Sequence, residues 1–267
     1  MDILKQQLAP INSKAWEEIH EVAKDVFENI LSARKFVDVD GPFGWDFAAV
    51  NMGKLTVPKN QKTGDINIGI RNVKPLVEIR MPFKINIWDM DDIVRGSEEI
   101  EFEDLENAAR KIAEFEERSI YYGLDHAAIE GITNSTAHKP LSYQNKPDSF
   151  MQAITEAVFT MKNSHVTGPY TLVMNTEKWK EISSMFTGYP IKKQLRELID
   201  GQIILTQNLK DAMVITERGG DFKFTLGNDI SIGYNQHDAK NVDLFFTESF
   251  TFRVIDPAAV ILLKNTK

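Results

Sequence analysis

The chain has 267 residues, 42% of them hydrophobic and 26% charged, and carries a net charge of −8. That length and balance suit a sizeable core, in one large domain or two smaller ones, and exclude disorder along the whole chain. No cysteine is present, which excludes disulfides and thiolate metal sites and fits a reducing, cytoplasmic setting. No long basic run supports binding to nucleic acid, and the longest apolar run, Ala258–Leu263, is far short of the ~20 residues of a membrane span.

Residues 13–33 predict an amphipathic helix. Ser13 is a plausible N-cap, and Trp16, Ile19, Ala23, Val26, Phe27, Ile30 and Leu31 form one stripe at helical spacing. Next comes RKFVDVDGPFGWDF, Arg34 to Phe47, with Phe36, Phe43, Trp45 and Phe47 around turn residues Gly41, Pro42 and Gly44. Residues 49–75 read as two β-prone arms flanking the polar tip PKNQKTGD. An isolated hairpin is marginal in water, so this one needs support from beyond itself, as from another chain.

From Leu76 to Trp88, apolar Val77, Ile79, Met81, Phe83, Ile85 and Ile87 alternate with polar residues. This predicts a long strand with one wet face, with Pro82 marking an edge or a bulge. The acidic stretch from Glu98 to Glu106 predicts a helix start near Glu103, where carboxylates meet the positive end of the helix dipole. That helix is expected to run to Gly131 as a structural spine. Residues 132–148 read as a border, and a subdomain follows over 149–221: helices from Ser149, in TEKWKEISSMF and in IKKQLRELI, and strands in PYTLVMN, IILTQ and AMVIT. The strongly alternating VDLFFTESFTFRVI and the apolar DPAAVILL are expected to return to the sheet begun near Leu76.

A search for catalytic chemistry finds none. His20-Glu21 begins a zinc-protease helix motif, but Lys24 stands where the second histidine belongs. A single Glu17-x-x-His20 is too little for a di-iron bundle. Asp38-Val39-Asp40-Gly41 and Asp89-Met90-Asp91-Asp92 miss the spacing of a calcium loop. No nucleophile elbow, phosphate loop or dinucleotide fingerprint occurs. Paired acids such as Glu116-Glu117 read as solvated surface. No metal site and no enzyme is expected.

RKFVDVDGPFGW, PLVEIRMPFKINIWDMDDIVRG, ARKIAEFEERSIYYG, GPYTLVMNTEKW, ITERGGDFKFTLGNDISIGY and LFFTESFTFRVIDPAAVILLK, in this order, resemble segments of the encapsulins, the linocin-like shell proteins of bacterial and archaeal nanocompartments. The resemblance covers nearly the whole chain. It implies an α+β fold of the Hong Kong 97 phage-type major capsid protein class. Residues 1–48 would be the N-terminal helix and the start of a peripheral domain, and 49–75 an extended loop. Residues 76–135 would be the peripheral domain with its spine helix, 136–221 an axial domain, and 222–267 the return to the peripheral domain. The turn aromatics would then anchor the first helix and the loop base, on a surface completed within the chain or by neighbouring copies.

The resemblance also implies an icosahedral homo-oligomer, with about sixty subunits in the smallest shell. It would enclose a cargo enzyme, a ferritin-like iron oxidase or a dye-decolourising peroxidase, serving iron storage or oxidative-stress defence. A terminal targeting peptide of the cargo would sit in a groove formed by Phe27, Leu31, Arg34, Asp38, Ile230 and Ile232. Phe27, Leu31 and Arg34 fall at i, i+4 and i+7 of one helix face, although plain core packing accounts equally for Phe27 and Leu31. Thr187, Gly188, Tyr189 and Pro190, with Lys192, would rim a five-fold pore, where the plainer reading is an exposed loop. Trp88 would stack on a flavin, where the plainer reading is packing. No nucleic acid or membrane partner is implied. A protease or bacteriocin-type enzyme and a phage major capsid protein are the alternatives.

Overall fold

The computed structural model describes residues 3–59, 65–97, 101–185 and 190–266. A 3-10 turn at Gln6–Leu8 precedes the first helix, α1 (Ser13–Ile30). Asn12, and not Ser13, caps it: the Asn12 side chain accepts a hydrogen bond from the Ala15 N–H at 2.9 Å, satisfying an amide that has no partner inside the helix. The helix stops at Ile30, earlier than the apolar stripe suggested, and Ser32 leads into a second 3-10 turn, Ala33–Lys35. The short β1 (Asp38–Asp40) follows, then an antiparallel hairpin of β2 (Ala49–Thr56) and β3 (Ile70–Pro75).

Strand β4 (Val77–Asn86) ends where Asn86 caps α2 (Ile87–Arg95), its side chain accepting from the Trp88 N–H at 2.9 Å. Ile87 and Trp88, expected in the strand, are therefore the first residues of a helix. Their alternation fits a strand, but a cap residue that satisfies a free amide decides the local structure. Helix α3 (Glu103–Tyr122) begins at the acids and ends well short of Gly131. Gly123 ends it with φ of 92°, and a Cβ there would lie 2.5 Å from the Ile129 carbonyl oxygen. The chain doubles back as β5 (Gly123–Leu124) on β6 (Ile129–Glu130), then makes the single turn α4 (Ile132–Ser135).

The subdomain expected over 149–221 starts somewhat earlier. It comprises β7 (Leu141–Tyr143), α5 (Pro147–Asn163), β8 (Tyr170–Asn175), α6 (Thr176–Ser183), α7 (Ile191–Ile199), β9 (Ile203–Thr206) and β10 (Ala212–Thr216). Long β11 (Phe222–His237) and β12 (Asn241–Val254) then return to β4, giving a four-stranded sheet in the order β1-β11-β12-β4. Pro82 lies on its edge strand, where the missing N–H costs no ladder bond.

The final strand corrects the expectation. Strand β13 (Val260–Asn265) does not join β4. It pairs with β10 and β7 inside the second sheet, whose order is β7-β13-β10-β8-β9. The segment 222–267 therefore divides between the two sheets. Val260 and Ile261 are both fully buried, so this strand needs cover on both faces, and the helix-covered second sheet provides it.

Two cores result. In one, Ala15, Ile19 and Ala23 of α1 and Leu105, Ala109 and Ile112 of α3 pack on Phe83, Ile85, Leu244 and Phe246. In the other, α5, α6 and α7 cover the five-stranded sheet, and Phe224, Phe250 and Phe252 join it from the long strands. Of the turn aromatics only Phe36 is buried, its ring 6.2 Å from Tyr121. Phe43 and Trp45 remain exposed, with Phe43 against Phe47 at 4.8 Å. The turn is stitched to β11 by the Phe43 N–H on the Leu226 carbonyl (3.0 Å) and the Gly44 N–H on that of Gly227 (2.7 Å).

Gly123→Ala is expected to cost about 2–3 kcal/mol, since it combines an unfavourable φ with a backbone clash. Denaturant unfolding of the purified chain measures it, and a Gly123→Ala midpoint equal to wild type would contradict the account of how α3 ends.

Candidate functional site

A cleft of about 740 Å³ lies under the second half of α1, beside the expected site residues. Phe27 and Leu31 form its α1 side, Arg34 its end, and Ile230 and Ile232 of β11 its opposite wall, with Phe246 beneath. The Phe27 ring meets Phe246 edge to face at 5.4 Å, and Phe246 stacks on Phe83 at 4.7 Å. The structure thus brings together five of the six residues expected there. It does so by a route the i, i+4, i+7 spacing did not foresee: Leu31 is the C-cap of α1, and Arg34 belongs to the 3-10 turn.

Asp38 is not in the groove. It sits on β1 and accepts a hydrogen bond from the Gly220 N–H at 2.6 Å. The anion beside Arg34 is Asp229, 2.9 Å from Arg34 Nη1. The N-terminal segment, which no periodicity marks, supplies another wall. The Tyr234 N–H donates to the Leu4 carbonyl at 2.7 Å, and Gln6 Nε2 donates to the Ile232 carbonyl at 2.7 Å.

Arg34 is the organising charge. Its Nε and Nη2 grip Glu116 at 2.8 and 2.6 Å, its Nη2 also reaches Glu248 at 2.8 Å, and its Nη1 holds Asp229. The Arg34 side chain is 20% exposed, and those of Glu116 and Glu248 are fully buried. Burial works against the Arg34 charge, but the bond to and charge of Glu116, with Glu248 and Asp229, outweigh it and raise its pKa. Arg34 therefore spends its cation inward, and the exposed cations at the groove's rim are Lys24 and Lys35.

Glu116 and Glu117, read from the sequence as surface acids, are both buried. Glu116 continues the stripe Leu105, Ala109, Ile112 along α3 to Ile120, all buried. That helical spacing is the signal that separates it from an ordinary surface acid.

Thr187, Gly188 and Tyr189 lie outside the described residues, while Pro190 precedes α7 and Lys192 stands exposed on its first turn. Trp88 is 67% exposed on the first turn of α2. Its exposed indole face is a surface on which a flat ring could stack. Among the described residues no cluster of His, Asp or Glu is placed to hold a metal ion, and no helix is long and apolar enough to cross a membrane.

Arg34→Met leaves Glu116 buried without its cation and Glu248 Oε1 without its donor, and is expected to destabilise the fold by about 3–5 kcal/mol. Arg34→Lys, which lacks the bidentate fork, should recover only part of this. Denaturant midpoints of the two variants against wild type measure the effect.

The same architecture is found in solved shells. The crystal structure of a virus-like particle from Pyrococcus furiosus is similar over 93% of this chain and 98% of its own, with a TM-score of 0.65 at 15% identity. The capsid of Myoviridae phage XM1 is similar over 88% of this chain and 92% of its own, with a TM-score of 0.53 at 11% identity. These likenesses fix the fold as the Hong Kong 97 phage capsid type. In sequence, the type 1 encapsulin shell protein of Rhodococcus erythropolis is 36% identical over 98% of this chain and the whole of its own length. Residues 1–251 match the family model Linocin_M18, described as an encapsulating protein for peroxidase. With the phage capsid fold in place and the match spanning both of its sheets, the chain belongs to the encapsulin family of shell proteins.

Proposed function

We propose that copies of this chain close into an icosahedral shell of about sixty subunits in the smallest case, and that the groove under α1 holds the terminal targeting peptide of an enclosed enzyme. The observation that carries the first part is the β2–β3 hairpin. Leu55, Val57, Ile70 and Val73 are all exposed on it, and it belongs to neither core. Phe43 and Trp45, exposed near its base, extend this apolar surface. Such a patch on a single chain marks a surface that another protein covers, and in a shell of identical tiles that protein is a neighbouring copy.

The groove supports the second part. Apolar Phe27, Leu31, Ile230, Ile232 and Phe246 line it, with Arg34 at its end and the exposed charges of Lys24, Glu28 and Lys35 along it. That combination suits an extended peptide with small apolar anchors. The enclosed enzyme is a peroxidase, as the family description says of its members, or a ferritin-like iron oxidase. Oxidative-stress defence or iron storage follows from that cargo's chemistry, and this chain acts as the container, without catalysis of its own. The compartment is cytoplasmic on this reading, and Pro190 and Lys192 flank an opening on its five-fold axis.

Negative-stain microscopy of the purified protein should show uniform hollow particles. A stable lone monomer at high concentration would overturn the proposal. Leu55→Asp combined with Ile70→Asp should leave the fold intact, by circular dichroism, and remove the particles. Phe27→Asp should keep the particles but reduce the yield of a co-expressed cargo inside them by about tenfold, the scale of one lost apolar anchor. Loading equal to wild type would place the docking site elsewhere.

A further inference from the structure

Four carboxyl groups and one guanidinium meet beneath the groove, more acid than one cation can balance. Arg34 is ringed by Glu116 from α3, Glu248 from β12 and Asp229 from β11. One residue along α3, Glu117 faces the bend between α1 and the 3-10 turn. It accepts the Ala33 N–H at 2.7 Å and shares a short hydrogen bond with the Ser32 hydroxyl, which in turn lies 2.8 Å from the Tyr121 hydroxyl. Ser32, Glu116, Glu117, Tyr121 and Glu248 are all buried.

The hydrogen bonds leave one buried carboxyl oxygen without a donor among the described residues. Glu248 Oε1 accepts from Arg34, but Glu248 Oε2 is buried and has no donor among the described residues. An anionic oxygen left this way is costly. A proton on Glu248 removes the problem, and the Glu116 charge favours it. A proton on Glu117 likewise lets it donate to Ser32 Oγ while its other oxygen keeps the Ala33 N–H. With all four carboxylates ionised the cluster would carry three more negative charges than positive ones can match, counting Arg34 alone as cation and Tyr121 as neutral.

We propose that Glu117 and Glu248 form a proton-operated clamp, which fastens the bend at residues 31–34 to the spine helix while both hold protons and loosens it, and the groove wall it carries, as they ionise. Burial pushes Glu117 up to about 7, against its bonds from Ser32 and Ala33 and with help from the Glu116 charge. Glu248 is raised too, first by burial and then by the Glu116 charge, with Arg34 pulling the other way. Both shifts favour the protonated form in the closed structure. The clamp therefore holds at low pH and weakens as pH rises through about 7. It rests on the chain's own burial and is tested with nothing in the groove, so its failure leaves the shell reading intact, and the reverse.

Amide hydrogen exchange over residues 31–36 of the purified protein, corrected for the intrinsic pH dependence of exchange, reads the clamp directly. Between about pH 6 and about pH 9 exchange there should rise about tenfold in the wild type. In the protein carrying both Glu117→Gln and Glu248→Gln, whose amides mimic protonated carboxyls, it should stay level. Equal protection across that range in the wild type, or a rise of the same size in the double variant, would overturn the proposal. Should the double variant fail to fold, infrared spectra of the wild type decide: a buried protonated carboxyl band that titrates away near neutral pH supports the clamp, and its absence overturns it.

Discussion

One guanidinium holds the molecule together. Arg34 ties the turn after α1 to the spine helix and to two strands of the four-stranded sheet, through hydrogen bonds to Glu116, Glu248 and Asp229. Those elements are far apart in sequence, and apolar packing could join them in several nearby arrangements. A planar fork that must meet carboxylates in fixed directions allows far fewer. The cost is heavy, since charges are taken out of water, and burial of this kind is weak evidence for stability in itself. Its result here is geometric: the end of α1 is set over β11 at the spacing that leaves a cleft between them.

The two cores account for the compact part of the molecule, and the hairpin stands apart from both. A soluble monomer gains by placing polar residues on such an arm. This arm instead exposes Leu55, Val57, Ile70 and Val73, next to a turn that leaves Phe43 and Trp45 in water. On the proposed reading, the same side chains that burden a lone chain would be the adhesive between tiles, as in obligate oligomers whose interfaces resemble a divided core. Folding and assembly would then be one process, with the last apolar surface buried only when a neighbour arrives.

Much of this was legible in the residues. The stripe of α1, the paired arms of the hairpin, the acidic start of α3 and the alternation of β4 and β12 each carry a periodicity that one buried face imposes. What escaped was set by interactions that leave no periodic mark. The boundary at Asn86 depends on one side chain meeting one amide. The end of α3 depends on how closely Gly123 approaches Ile129. The membership of β13 was hidden because Val260 and Ile261 are buried on both faces, so alternation could not say which sheet receives them. In the groove, the apolar members followed from family resemblance and helix spacing. The anion did not: Asp38 and Asp229 are both near Arg34 in type and plausibility, and only the tertiary fold shows that Asp38 serves Gly220 instead. Glu116 could have been found from the stripe it completes.

The placement of β13 bears on how the chain is made. In its sheet it lies between β7 and β10, yet it follows every other strand of that sheet along the chain. While the polypeptide is being synthesised, β7 and β10 must wait with open edges until residues 260–265 emerge. A chain cut off before that point keeps a gap in the middle of a sheet and exposes two strand edges, the kind of surface that is recognised as misfolded and aggregates. The strand that closes this sheet is thus the last one the chain supplies.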